Sequence, residues 1–189
     1  MALTASPSGF IPRKHPTGQS RATAYTIDAG YTTAIGYGDA VTLNTNGTVT
    51  VGAATADLLG VFAGCEYVDA SVKPNESMYW PGTAGATKIV AYVYDAPENV
   101  YEVQVAASGT GYVQTAIGAQ ADMVAGTVNT STGRSAQALA ASLEAGGAQG
   151  QFRVVGFGPD GIYDASTNTY PTVLVQIAQH VFVASKVSV

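Results

Sequence analysis

Thr87-Lys-Ile-Val-Ala-Tyr-Val-Tyr-Asp-Ala-Pro-Glu-Asn-Val-Tyr-Glu-Val-Gln-Val105 is the stretch from which the fold is read. Its first half sets Ile89, Ala91 and Val93 against Val90, Tyr92 and Tyr94, apolar on both faces and rich in β-branched and aromatic residues, as suits a strand covered on both sides. The second half alternates. Tyr101, Val103 and Val105 share one face and Glu102 and Gln104 the other, the pattern of a half-buried strand. Pro97 suits the second position of a turn, and Asp95 or Asn99 can close that turn with a side-chain hydrogen bond. The expectation is a β-hairpin at the core of a sheet.

The rest of the chain agrees with an all-β protein, a compact β-barrel or β-sandwich of short antiparallel strands. At 189 residues it is long enough for one domain, or a domain plus an arm. The 22 glycines and the low charged fraction, 11%, favour short strands and tight turns over amphipathic helices. A charged fraction so far below the roughly 25–35% of a soluble monomer's surface implies that some surface lies against another protein. The formal net charge of -5 argues against nucleic-acid binding by the body. No stretch reaches the roughly 18 apolar residues of a membrane-spanning helix, and the first residues lack the form of a secretory signal.

Residues 1–21 stand apart as an extended basic arm, with residues 22–189 as a single β-rich body. Pro7, Pro12 and Pro16 oppose a helix; Arg13, Lys14 and Arg21 are three of the eight Lys and Arg residues, and no acid precedes Asp28. All 13 acids therefore lie in the body, opposite in sign to the arm. With only Leu3, Phe10 and Ile11 as sizeable apolar anchors, the arm is expected to order only on a partner.

Within the body, Ala22 to Asp28 reads as the first strand. Gly36–Leu43 reads as a glycine-punctuated turn feeding a second strand, Asn44-Thr-Asn-Gly47 turns the chain into the return strand Thr48–Val51, and its Asn46-Gly47 pair suits a type I′ turn with positive φ at both central positions. Asp57 to Val68 is a long apolar strand, with bends or close approaches at Gly60 and Gly64, and its length suggests that two sheets share it. Ala70 to Gly85 reads as a loop holding Met78-Tyr79-Trp80, either a buried hinge cluster or an interface with a partner or a second copy. Tyr112 to Val124 and Gln137 to Glu144 are each a strand or a helical turn. Gln151–Phe157 and Thr172–Ala178 read as strands flanking a long surface tip, residues 158–171.

Catalytic chemistry finds no constellation in this inventory, so no enzymatic activity, cofactor or metal is expected. His15 and His180 have no metal-ligand spacing to each other or to Cys65. Cys65 lies in an apolar strand without a nearby cation and reads as a small buried hydrophobe. Glu98 and Glu102 are of the residue type used in glycoside hydrolysis, but a hairpin turn and wet face explain them as well. Asp160 and Asp164 supply too few oxygens for a calcium site, which takes six to eight. The sequons at Asn46, Asn75 and Asn129 read as turn residues.

The order of short patterns carries one resemblance. Gly9-Phe-Ile-Pro-Arg-Lys-His15, Tyr37-Gly-Asp-Ala-Val-Thr-Leu43, Leu58-Leu-Gly-Val-Phe-Ala-Gly64 and Val93-Tyr-Asp-Ala-Pro-Glu-Asn-Val-Tyr-Glu-Val-Gln-Val105 together resemble the capsid decoration, or cement, proteins of tailed bacteriophages. The resemblance implies a structural virion protein on the outer capsid surface, commonly a homotrimer, that staples neighbouring copies of the major capsid protein. Charge and hydropathy, and not the resemblance, are the grounds for expecting no nucleic-acid or membrane partner. Phe10, Ile11, Arg13, Lys14 and Arg21 are then the capsid-contact candidates. The alternative is a β-sandwich adhesin or carbohydrate-binding module of a phage fibre or tail, with Tyr79 and Trp80 as a sugar-stacking platform.

Overall fold

The computed structural model describes residues 5–107, 111–158 and 170–184. Among these the chain forms β1 (Ile11–Lys14), β2 (Thr23–Thr26), β3 (Ala40–Leu43), β4 (Val49–Val51), β5 (Gly60–Val68), β6 (Pro74–Ser77), β7 (Thr87–Tyr94), β8 (Val100–Gln104), β9 (Gln120–Ala121), β10 (Met123–Val124), β11 (Ala138–Leu139), β12 (Phe152–Phe157) and β13 (Thr172–Ile177). One 3-10 turn, Gln114–Ala116, precedes β9, so residues 112–124 combine both expected forms. All the strand pairs are antiparallel. One sheet runs β1-β8-β13-β12-β9 and the other β2-β7-β5-β3-β4 with β6 beside β5, while β10 and β11 form a small pair. The fold is sandwich-like. Asn46 Nδ2 donates to Asp28 (3.4 Å) and Val51 N–H to the Tyr31 hydroxyl (3.1 Å), so the six-stranded sheet curls until its two ends nearly meet. β2 and β4 do not pair, and no barrel closes.

The decisive stretch is an arch and not a hairpin. β8 alternates as expected, but β7 is not covered on both sides: Ile89, Ala91 and Val93 are buried while Val90, Tyr92 and Tyr94 are only half-buried, and the two strands belong to different sheets. Asn99 N–H closes the expected turn onto Ala96 O (3.0 Å) with Pro97 at its second position. The Asp95 side chain does not close it. Its two oxygens accept the Thr23 hydroxyl (2.8 Å) and the Tyr25 hydroxyl (2.6 Å), tying edge strand β2 to the arch, and the Asn99 side chain does not close the turn either. Tyr101 OH then donates to Tyr94 O (2.7 Å), fastening the two sheets to each other. Alternation reports which face is buried; it does not say which strand lies alongside.

Two further expectations change in detail. The β3–β4 hairpin forms, but only Gly47 of the Asn-Gly pair has positive φ (+78°), so the loop is a type I turn followed by one left-handed residue. β5 stays within one sheet. It bulges at Gly64 and is long because β3 and β6 follow one another along one side of it while β7 takes the other. β12 and β13 pair as read, Phe152 opposite Ile177 through Phe157 opposite Val173. The tip between them lies largely outside the described residues, as do Asp160, Asp164 and Leu3.

Two buried clusters result. The first lies against the five-stranded sheet and joins Phe10 to Tyr101, Val103, Phe152, Val154, Val173 and Val175, with Ala40, Leu58 and Val61 reaching it from the other sheet. The second sits inside the curl of the six-stranded sheet and gathers Ile27, Ile35, Val41, Phe62, Cys65, Trp80, Ile89, Ala91 and Val93.

Candidate interface

The first 21 residues do not behave as one arm. Phe10 is fully buried in the first cluster, its ring stacked on Phe152 at 4.2 Å and 9°. Phe10 N–H donates to Gly38 O (2.8 Å) and Gly9 N–H to Gln137 O (3.2 Å). Gly9 has φ +76°, and a side chain there would overlap Gly38 O and Ser135, so glycine is what lets the ring enter. β1 follows at the edge of the five-stranded sheet, Ile11 opposite Glu102 and Lys14 opposite Val100, with Ile11 half-buried. Residues 9–14 are therefore part of the body. The expectation that they order only on a partner is corrected: the strand ladder and the stacked ring supply, within the chain, what the count of three apolar anchors left out.

Of the basic candidates, Arg13 is already engaged. Its Nε and Nη2 donate to the two Glu102 oxygens at 2.9 and 3.0 Å, a bidentate pair on the sheet's outer face. Lys14 and Arg21 are exposed, and no carboxylate pairs with either among the described residues. They bracket the loop from β1 to β2, in which Gly18 N–H closes a turn onto His15 O (2.9 Å).

That loop and the Asp95–Asn99 arch share one end of the sandwich, because Lys14 lies opposite Val100 and Thr23 opposite Val93. The chain's last described residues arrive at the same place. His180 Nδ1 accepts the Phe182 N–H (3.1 Å), so Nε2 carries the proton and donates to Asp95 O (3.0 Å). Burial pushes the imidazole pKa below its ordinary value, in keeping with this neutral tautomer. Phe182 and Val183 then project at 61% and 42% exposure. The arch end thus presents exposed apolar side chains at the same end of the sandwich as Lys14 and Arg21, and exposed aromatic and Arg side chains are enriched at protein contacts. Sequence reading missed Phe182: within Val181-Phe-Val183 it is indistinguishable from a core run.

The aromatic cluster is split. Trp80 is fully buried, edge-on to Tyr67 at 5.2 Å, and its Nε1 donates to Tyr31 O (3.0 Å). It serves neither an interface nor a sugar platform, which withdraws the observation on which the adhesin alternative stood. Tyr79 is half-buried and packs over Gly133, and Met78 alone of the three is mostly exposed. Cys65 is buried, its thiol pushed up to about 12 by desolvation, and its Sγ lies 3.4 Å from Tyr79 O. Among the described residues no group of three or more His, Cys, Asp or Glu is placed to hold a metal, and no helix is long and apolar enough to cross a membrane.

No protein-family model, curated protein or solved structure matches the chain.

Proposed function

We propose that the chain is a structural virion protein that binds the outer surface of an assembled phage head, as a homotrimer, and staples neighbouring major capsid subunits. The observation that supports this reading is the arch end, where Phe182 and Val183 stand exposed at the same end of the all-β body as Lys14 and Arg21, which have no carboxylate partner among the described residues. The decoration-protein resemblance of the Gly9–His15, Tyr37–Leu43, Leu58–Gly64 and Val93–Val105 stretches supplies the partner. Lys14 and Arg21 remain capsid-contact residues in this account, with the half-buried Ile11; Phe182 takes the anchoring role that the buried Phe10 cannot fill. Because the loop carrying the bases is held by a strand at each end, it loses less freedom on binding than a loose arm would.

The mechanism is linkage. A protein that binds only the assembled shell stabilises it by mass action, and three linked copies raise avidity by about 10² to 10⁴ over one. Quantitative densitometry of particles from the source virus tests the role. An abundance close to that of the major shell subunit is expected; absence, or a handful of copies, would refute it.

A further inference from the structure

Asn46 is the only asparagine of the chain that is followed by glycine. Both residues are exposed at the tip of the β3–β4 hairpin. The loop is closed by Asn44: its N–H donates to Thr48 O and its carbonyl accepts Gly47 N–H, both at 3.0 Å, while its Oδ1 accepts the N–H groups of Asn46 (3.0 Å) and Thr48 (3.3 Å). The Asn46 side chain takes no part in that closure. Its Nδ2 donates to Asp28 Oδ2 (3.4 Å), across the open side of the curled sheet, and its Oδ1 accepts the Thr48 hydroxyl (3.1 Å).

An asparagine side chain is chemically labile because the next peptide nitrogen can close a five-membered ring on its amide carbon. Here the surroundings assist. A side chain on the following residue would shield that nitrogen; Gly47 has none, and a Cβ placed there would meet nothing within 4 Å, so the backbone is free to turn toward the amide. The Thr48 hydroxyl draws charge onto Oδ1, where the oxyanion of a tetrahedral intermediate would form. The bond from Gly47 N–H to Asn44 O must open first, and at an exposed hairpin tip such local opening is inexpensive. Other asparagines lack this setting. Asn75 is followed by Glu76 and its Nδ2 is held by Asp69 (3.2 Å) and Lys73 O (2.9 Å); Asn129 is followed by the β-branched Thr130.

We propose that Asn46 is a site of spontaneous deamidation, and that the modification unfastens the curl of the six-stranded sheet. Gly47 nitrogen, its proton lost to solvent, attacks Asn46 Cγ. The new C–N bond forms as the Cγ–Nδ2 bond breaks, and ammonia leaves with a proton from water. A second water opens the resulting succinimide at either carbonyl, giving aspartate or isoaspartate. No redox change is involved. Either product sets a carboxylate where the amide donated to Asp28, so a hydrogen bond becomes a like-charge contact. Of the two bonds across the curl, only that from Val51 N–H to the Tyr31 hydroxyl survives.

The test uses the purified full-length chain, incubated folded at neutral and at mildly alkaline pH and mapped by mass spectrometry with an isoaspartate assay. Asn46 should convert ahead of Asn75 and Asn129, and faster in alkali, because the nucleophile is the deprotonated amide. Gly47→Ala should lose most of the conversion. Thr48→Val should slow it in the folded chain and leave it unchanged in urea, where the hydroxyl no longer faces Oδ1. The converted fraction, separated by ion exchange, should unfold at lower urea concentration than the unconverted one. Asn46→Asp should shift the same way, and adding Asp28→Asn should reverse that shift. An Asn46 that converts in urea but not in the folded chain, or Asn75 and Asn129 converting as fast, would overturn the site. Asn46→Asp as stable as the native chain would overturn the unfastening.

Discussion

The two buried clusters differ in where their residues lie in the chain. Apart from peripheral contacts, the second is drawn from residues 27–93 and is closed by Trp80, a loop residue from that same span. The first draws on residues 101–177, three residues from the other sheet, and Phe10. One core is assembled from a continuous stretch; the other is finished by the beginning of the chain. A segment that composition presents as an appendage is therefore structural, and the surface left for partners is defined by what the cores do not consume.

The largest effects should come from opening either core. Phe10→Ala and Trp80→Ala should each lower unfolding free energy by about 3–5 kcal/mol, measured by urea denaturation. The contrast appears on truncation. Removing residues 1–14 should be at least as damaging as Phe10→Ala because it also strips β1 from β8, and a truncated chain as stable as the native one would break the comparison. The β3–β4 and β5–β6 hairpins close with the same bonds and put Gly47 (φ +78°) and Val72 (φ +61°) at the same left-handed position, which offers a smaller, signed effect. Gly47→Val should destabilise by about 1–2 kcal/mol and Val72→Gly should stabilise by a similar amount, since the same left-handed position changes hands.

Next comes a pH effect at the arch end. The pKa of His180 is lower folded than unfolded, so its contribution is complete above about 6.5, the ordinary histidine value, and is lost progressively as pH falls below it. The native protein should lose thermal stability between pH 7 and pH 5 relative to His180→Gln; parallel pH profiles would remove His180 from the account. The smallest effect belongs to Glu102→Gln. Arg13 is half exposed, with 48% of its side chain accessible, so breaking its ion pair should cost under about 1 kcal/mol.

Much of the fold is legible because short-range rules govern it. The alternation of Tyr101, Val103 and Val105, the turn at Asn46-Gly47 and the β12–β13 pair all follow from local period and turn chemistry. The arch is not legible, since the sequence around Pro97 suits a turn whether the chain returns to the same sheet or crosses to another. Phe10 is hidden by its neighbours: Pro7, Pro12, Arg13 and Lys14 give the segment the composition of a tail, and only Gly9 and a distant ring at Phe152 reveal it as core. Met78, Tyr79 and Trp80 are adjacent in sequence yet graded from exposed to buried, a distinction made by the Tyr31 carbonyl and the Tyr67 ring. Phe182 errs the other way, an apolar residue in an apolar run that the His180 turn directs into solvent.

The most direct measurement of the proposed role is the temperature at which heads of the source virus release DNA, with the chain present, absent and added back. The account expects heads lacking it to fail at a lower temperature, with restoration by the native protein and much weaker restoration by a chain carrying Lys14→Glu, Arg21→Glu and Phe182→Ser. Heads that release DNA at the same temperature with and without the chain would contradict it.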